Sequence, residues 1–276
     1  MRREEILARF KEKMRAGEVL VGMQHNSGSE AVVEMLAYSG FDFVLIDMEH
    51  SGYSITVAES MVRAAEAAGI VAFIRVVENN PHIIMQAMET GAQGVFVPHI
   101  LNRKDCEQAL AALRYRPDGI RGKTTASRAA RWGASDWHAY QKWANTETLM
   151  IPIIEDKEAV DVMEEILSVP GLELISVGPG DLSQSYEMPG MGLRAEPVMA
   201  ALMRAIRFCT PRNIAVTTIP MPDLTNEFTR EVVAKGAKVV WYGTDLLNIG
   251  KHFRYMAEVK SEAKGGSPDG RESKTR

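Results

Sequence analysis

Four short apolar runs in this 276-residue chain end in ionisable side chains. Leu45-Ile46 leads into Asp47, Glu49 and His50, and Phe73-Ile74 into Arg75. Ile153-Ile154 leads into Glu155, and Val177 into Gly178-Pro179-Gly180-Asp181. Burying such groups costs several kcal/mol apiece unless they are paired, hydrogen-bonded or metal-bound, so four in the same local setting point to one shared polar pocket.

The residue types suggest the chemistry. Glu155 and Asp181 have no cysteine beside them. Completed by waters and substrate oxygens, two such carboxylates suit a hard divalent ion such as Mg2+ or Mn2+. Taken singly, each also fits as a helix-capping or first-turn acid. Arg75 carries a planar fork that matches a carboxylate and stays charged at any relevant pH, with an internal ion pair to Asp47 or Glu49 as the other reading. His50 is the natural proton carrier, because imidazole titrates near neutrality, and Asp47 or Glu49 is placed to orient its ring. The stretch Gly178-Pro179-Gly180-Asp181-Leu182-Ser183 offers exposed backbone donors, from residues other than the proline, around small carboxylate or phosphate oxygens. His25 and His99, near the ends of two further runs, are weaker candidates for the same pocket.

These groups need elements to hold them. Strand candidates at 19–23, 42–47, 71–76, 94–98, 148–154, 173–177, 215–219 and 239–242 are mostly continuous apolar runs, as expected for strands covered on both faces of a parallel sheet. Segments of helical period lie between them at 29–39, 54–68, 81–90, 103–114, 157–168, 197–210, 224–235 and 246–260. Ser29 and Ser54 are placed to cap their helices, and Pro81 falls in a first turn. Eight βα units predict an α/β fold, a (β/α)8 TIM barrel filling residues 1–260, with a doubly wound open sheet as the competitor. The polar tail at 261–276, with no aliphatic residue larger than alanine, is expected to be disordered.

Two stretches interrupt the repeat. Residues 115–147 bring Arg116, Arg121, Lys123, Arg128 and Arg131 together with Trp132, Trp137 and Trp143. That fits either a loop recognising an anionic substrate or a neighbouring subunit, with Arg121 as its substrate-binding candidate, or a solvated surface excursion. Residues 182–196 contain Pro189, Gly190 and Gly192 and read as a flexible loop.

Composition narrows the partners. A formal net charge of −4 offers no global positive field for nucleic acid or anionic lipid. The longest run free of Asp, Glu, Lys and Arg, from Thr90 to Asn102, has 13 residues, well short of the roughly 20 that a membrane-spanning helix needs. The first residues mix both charge signs at helical spacing and give no sign of export. Cys106 and Cys209, each within a helical pattern and outside any C-x-x-C or Cys/His cluster, read as inert thiols in a reducing cytoplasm. No G-x-G-x-x-G, P-loop or G-x-S-x-G pattern supports a dinucleotide, a nucleotide or a serine nucleophile.

Five segments, taken in order, carry a family resemblance. They are Phe41 to His50, Arg75 with Asn80-Pro81, Arg114 to Gly122, Ile154-Glu155, and Val177 to Ser183. Over about residues 5 to 258 the chain resembles the HpcH/HpaI aldolase family, the metal-dependent class II pyruvate aldolases. The resemblance implies a (β/α)8 barrel, commonly a hexamer built from dimers that exchange the last helix. It implies that Glu155 and Asp181 ligate Mg2+, Mn2+ or Co2+, and that the ion grips both oxygens of a 2-oxo acid such as pyruvate. It further implies that Arg75 stabilises enolate charge, and that His50, assisted by Asp47, moves the proton of the aldol hydroxyl of an aldehyde adduct. The chain departs from the family pattern at Ile153, where a glutamine is usual; at His99, where an apolar residue commonly follows the proline; and at Glu89, often aspartate. These departures leave open the aldehyde, and also two alternatives: a citrate-type lyase or synthase with the insertion arginines holding extra carboxylates, and a non-catalytic 2-oxo acid binding protein.

Overall fold

The computed structural model describes residues 2–262, so the tail expected at 261–276 lies almost wholly outside the described residues. Helix α1 (Arg3–Arg15) leads to eight strands: β1 (Leu20–His25), β2 (Phe43–Asp47), β3 (Val71–Arg75), β4 (Gly94–Val97), β5 (Leu149–Ile154), β6 (Leu174–Val177), β7 (Ala215–Thr218) and β8 (Val239–Tyr242). Every neighbouring pair is parallel and β8 closes on β1, with Leu20 opposite Val239 and Met23 opposite Tyr242. The closed barrel removes the open doubly wound sheet from consideration.

The helices between strands are α2 (Glu30–Tyr38), α3 (Ile55–Ala68), α4 (Pro81–Glu89) and α5 (Arg103–Leu113), then α6 (Trp137–Glu147), α7 (Lys157–Asp161), α8 (Met163–Leu167), α9 (Pro179–Ser185), α10 (Glu196–Cys209) and α11 (Asn226–Ala234). After β8 come α12 (Asp245–Ala257) and α13 (Val259–Glu262). The single helix expected at 157–168 is broken at Val162, whose ψ of 20° leaves the helical region. The two irregular stretches hold more structure than their composition suggests. Residues 115–147 contain α6, capped by the Asp136 carboxylate, which accepts from the His138 and Ala139 amides. Trp137, Tyr140 and Trp143 fall three residues apart on that helix, and the first two pack edge-on against Tyr115. Residues 182–196 contain most of α9 and a 3-10 turn at Gly192–Arg194.

Period-two alternation sorts each strand between two cores. Outward residues such as Val44, Ile46, Ala72, Ile74 and Val95 pack under the helices. Inward residues, among them Phe43, Leu45, Phe73, Phe96, Ile151, Ile153 and Trp241, fill the barrel together with Ile6, Leu7 and Phe10 of α1. Helix α1 thus plugs the end where the strands begin, and Phe10 meets Phe43 and Phe73 edge-on at 5.9 and 5.6 Å. Gly22 makes room for this, since a Cβ there would lie 2.2 Å from the Phe43 ring. With α1 plugging the base and apolar side chains filling the interior, the polar strand ends stand at the opposite mouth.

Candidate active site at the barrel mouth

The alternation that fills the barrel also aims the site residues. Asp47 continues the inward row of Phe43 and Leu45, Arg75 that of Phe73, and Glu155 that of Ile151 and Ile153. Asp47 and Arg75 are direct partners in the β2–β3 register, and their side chains form a buried two-point ion pair with both contacts at 2.8 Å. Asp47 Oδ2 also accepts from the Gln24 amide at 2.7 Å and the Asn26 amide at 2.8 Å, while Oδ1 accepts from the backbone of Glu49 at 3.1 Å and of His50 at 3.4 Å. Burial alone would raise this carboxyl, but the Arg75 and Asn26 contacts outweigh it and hold Asp47 below its ordinary value. Both of its oxygens are occupied. It orients Arg75 and the turn carrying His50, and does not touch the imidazole.

Glu49 faces the His50 ring instead. Its Oε2 lies 3.7 Å from His50 Nε2 and 3.2 Å from Arg75 Nε, and its Oε1 lies 3.9 Å from His99 Nε2. Burial raises the Glu49 carboxyl and Asp47 adds to the rise, against Arg75 and the two histidines. The His50 side chain is 59% exposed, open to a ligand above it.

On the other side of the mouth Glu155 is buried, and its one hydrogen bond among the described residues is from the His99 amide to Oε1 at 2.9 Å. Burial pushes its carboxyl up to about 7; His99 works against that, and the charges of Glu49 and Asp181 work with it. Asp181 stands exposed in the first turn of α9, where the Gly180 and Asp181 amides have no acceptor within the helix. Gly178 permits the approach of the two elements, because a Cβ there would lie 2.8 Å from Glu155 Oε2 and 3.0 Å from Ile153 Cγ2. Ile153 is buried against Gly178, on the inward row just before Glu155.

These residues fit a divalent cation. The donors are carboxylate oxygens, and the buried Glu155 charge has acids around it and one amide to relieve it. Among the described residues no group of three or more His, Cys, Asp or Glu side chains is arranged to hold a metal. An ion here would keep most of its shell for water and substrate.

Two predicted groups lie elsewhere. Arg121 sits beside the last turns of α4 and α5, its guanidinium 4.4 Å over the Tyr115 ring and 2.6 Å from Glu89 Oε1. The reason is topological: residues 115–147 run from α5 to β5 and emerge at the base, whereas the mouth is formed by the connections that follow strands. Arg128 and Arg131 pair with Glu66 and Glu4 in the same region, at 2.5 and 2.8 Å. Arg121, Arg128 and Arg131 are therefore paired with acids of their own chain away from its mouth. His25 points outward from β1, fully buried, with Nδ1 2.9 Å from Asp245 at the start of α12. Gln24 and Asn26 went unrecognised in the sequence, since an amide at a strand end signals nothing until its partner is known.

A family model described as HpcH/HpaI aldolase/citrate lyase matches residues 20–250. The chain belongs to this family. It is 34% identical over 195 residues to the hydroxypyruvate/pyruvate aldolase of Sagittula stellata, covering 71% of this chain and 76% of that one. It is 32% identical over 240 residues to the 2-keto-3-deoxy-L-rhamnonate aldolase of Escherichia coli, covering 86% and 87%. Among solved structures, an HpcH/HpaI aldolase/citrate lyase family protein from Burkholderia cenocepacia superposes with a TM-score of 0.82 at 28% identity, covering 92% of this chain and 99% of that one. The matched span of the HpcH/HpaI model takes in every strand and every mouth residue described above.

Proposed function

We propose that this protein is a divalent-metal-dependent aldolase that cleaves or forms a 4-hydroxy-2-oxo acid, with pyruvate and an aldehyde as the other side of the equilibrium. The observation that carries this reading is the buried Glu155 carboxylate, hemmed by acids and sharing one polar mouth with Arg75 and with the Glu49 carboxylate that His50 adjoins. Glu155 and Asp181 would hold the ion, which when bound polarises the 2-oxo group as a Lewis acid. The aldolase names of the relatives at 34% and 32% identity support the same class.

In the cleavage direction His50 Nε2, directly or through water, takes the proton of the C4 hydroxyl. The C3–C4 bond breaks, C4 leaves as the aldehyde carbonyl, and the electron pair flows through C3 and C2 to the 2-oxo oxygen. Arg75, held rigid by Asp47, stabilises the negative charge that develops there. Glu49 lies beside the His50 ring at 3.7 Å, leaving Nε2 open to the substrate, and the Gly180 and Asp181 amides take carboxylate oxygens of the 2-oxo acid. A proton delivered to C3 then yields pyruvate.

We assign the protein to the cytoplasm, a reading supported by two free buried cysteines whose thiols burial pushes up to about 12. Among the described residues no helix is long and apolar enough to cross a membrane. We also propose a homo-oligomer, hexameric in the full assembly. On α12 only Asp245 is buried, while Leu246, Leu247, Phe253, Tyr255 and Met256 are exposed, a surface suited to cover by another copy.

Deuterium exchange at C3 of pyruvate tests the core of this reading without any aldehyde. Exchange should require Mg2+ or Mn2+ and should vanish in Glu155→Gln and Asp181→Asn. Exchange that persists in chelator-treated protein rejects the assignment.

A further inference from the structure

His99 follows β4 with a φ of 51°, the left-handed region that is uncommon outside Gly and that Asn, Asp and His enter most often. That turn points the amide at Glu155 and leaves the ring over the mouth with 55% of the side chain exposed. One edge of the ring is fixed, with Nδ1 3.0 Å from Asp156 Oδ2. The other edge is free: Nε2 stands 3.9 Å from Glu49 Oε1, beyond hydrogen-bond reach. His50 approaches the second oxygen of that same carboxylate, so two half-exposed imidazoles flank Glu49 on one side of the mouth.

We propose that His99 is a specificity-determining residue for the aldehyde, its Nε2 pairing with the hydroxyl beside the carbonyl so that α-hydroxyaldehydes are preferred to their deoxy analogues. The inference rests on the aldolase reading above. With the carbonyl oxygen at His50, a substituent on the neighbouring carbon extends across Glu49 toward His99. A hydroxyl donates to a bare Nε2 and accepts from a protonated one, so the contact holds in either form of the ring. A carboxylate at that position would face Asp156 and Glu155, whose oxygens lie 3.0 and 3.8 Å from Nδ1, together with Glu49 at 3.9 Å from Nε2. An apolar group would gain no hydrogen bond from Nε2 and would crowd the water that otherwise serves it. A site built to hydrogen-bond a hydroxyl rejects the analogue that lacks it far better than an apolar pocket distinguishes two alkyl groups.

The test compares kcat/KM for pyruvate addition to glycolaldehyde and to acetaldehyde, with Mn2+ and the full-length protein. Wild type should favour glycolaldehyde by about 10-fold or more. His99→Asn keeps a residue type that tolerates the left-handed backbone, and hence the amide on Glu155, but is too short to reach the substrate. It should lower that preference by about 10-fold, chiefly through KM for glycolaldehyde, with a clearly smaller change for acetaldehyde. His99→Gly, which also accepts that backbone, should behave alike. A preference unchanged in both variants, or both aldehydes falling in step, overturns the inference, the latter because His99 would then act only by supporting Glu155. Wild-type protein that neither exchanges pyruvate protons nor adds any aldehyde overturns the aldolase reading and this inference with it.

Discussion

Two buried carboxylates at strand ends behave in opposite ways. Asp47, on the β2–β3 side of the mouth, accepts from a guanidinium, two side-chain amides and the backbone, and sits below its ordinary pKa. Glu155, on the β5–β6 side, is as buried but has one backbone N–H and acidic neighbours, and is pushed up to about 7. A buried charge with its partners supplied is scaffolding. One whose balance is left unmade is a place for something the chain does not contain.

That contrast can be broken in graded ways. The largest effect falls on chemistry: His50→Ala should slow aldol cleavage by about 10² to 10⁴, the range for a general acid-base group, with pyruvate exchange less affected because it does not involve the C4 hydroxyl. Steady-state cleavage and exchange measured on one preparation check this. Next comes stability without metal. Asp47→Asn takes away the two-point partner of the buried Arg75, leaving it Glu49 at 3.2 Å, and should cost about 3 kcal/mol in urea unfolding with chelator present. Glu155→Gln removes an unbalanced charge while keeping an oxygen for the His99 amide, so it should be neutral or stabilising. Equal losses for the two would dissolve the distinction.

Gly178→Ala is milder. A Cβ would press on Glu155 Oε2 and Ile153, so Mn2+ affinity measured by titration calorimetry should weaken by about 10- to 100-fold with the barrel intact. The smallest effect is the acid slope of stability. Asp47 is depressed in the folded protein, so the stabilisation it gives is complete above the usual carboxylate range near pH 4. It is lost as pH falls from there through the lower folded value, and Asp47→Asn should flatten that part of the curve.

How much of this was legible beforehand varied by residue. Asp47, Arg75, Glu155 and Asp181 announced themselves because each follows an apolar run, and in a parallel barrel the end of such a run is the mouth. Arg121 misled for the converse reason. Its cationic segment looked like a ligand loop, yet it lies between a helix and the next strand and so belongs to the base, where Glu89 and Tyr115 take its charge and its face. Helix α6 was missed: the arginine content of 115–147 suggested a loop, although Asp136 caps the helix and Trp137, Tyr140 and Trp143 follow at three-residue spacing.

The eight-fold alternation of strand and helix, the inward aim of every second strand residue, and so the set of polar tips at one end follow from the residue order alone, because they depend on local periodicity. Which tip partners which did not. That Asp47 spends itself on Arg75, that Glu49 rather than Asp47 faces His50, and that Glu155 is left short of cations depend on distances across strands far apart in sequence. Those distances are set only when the barrel closes.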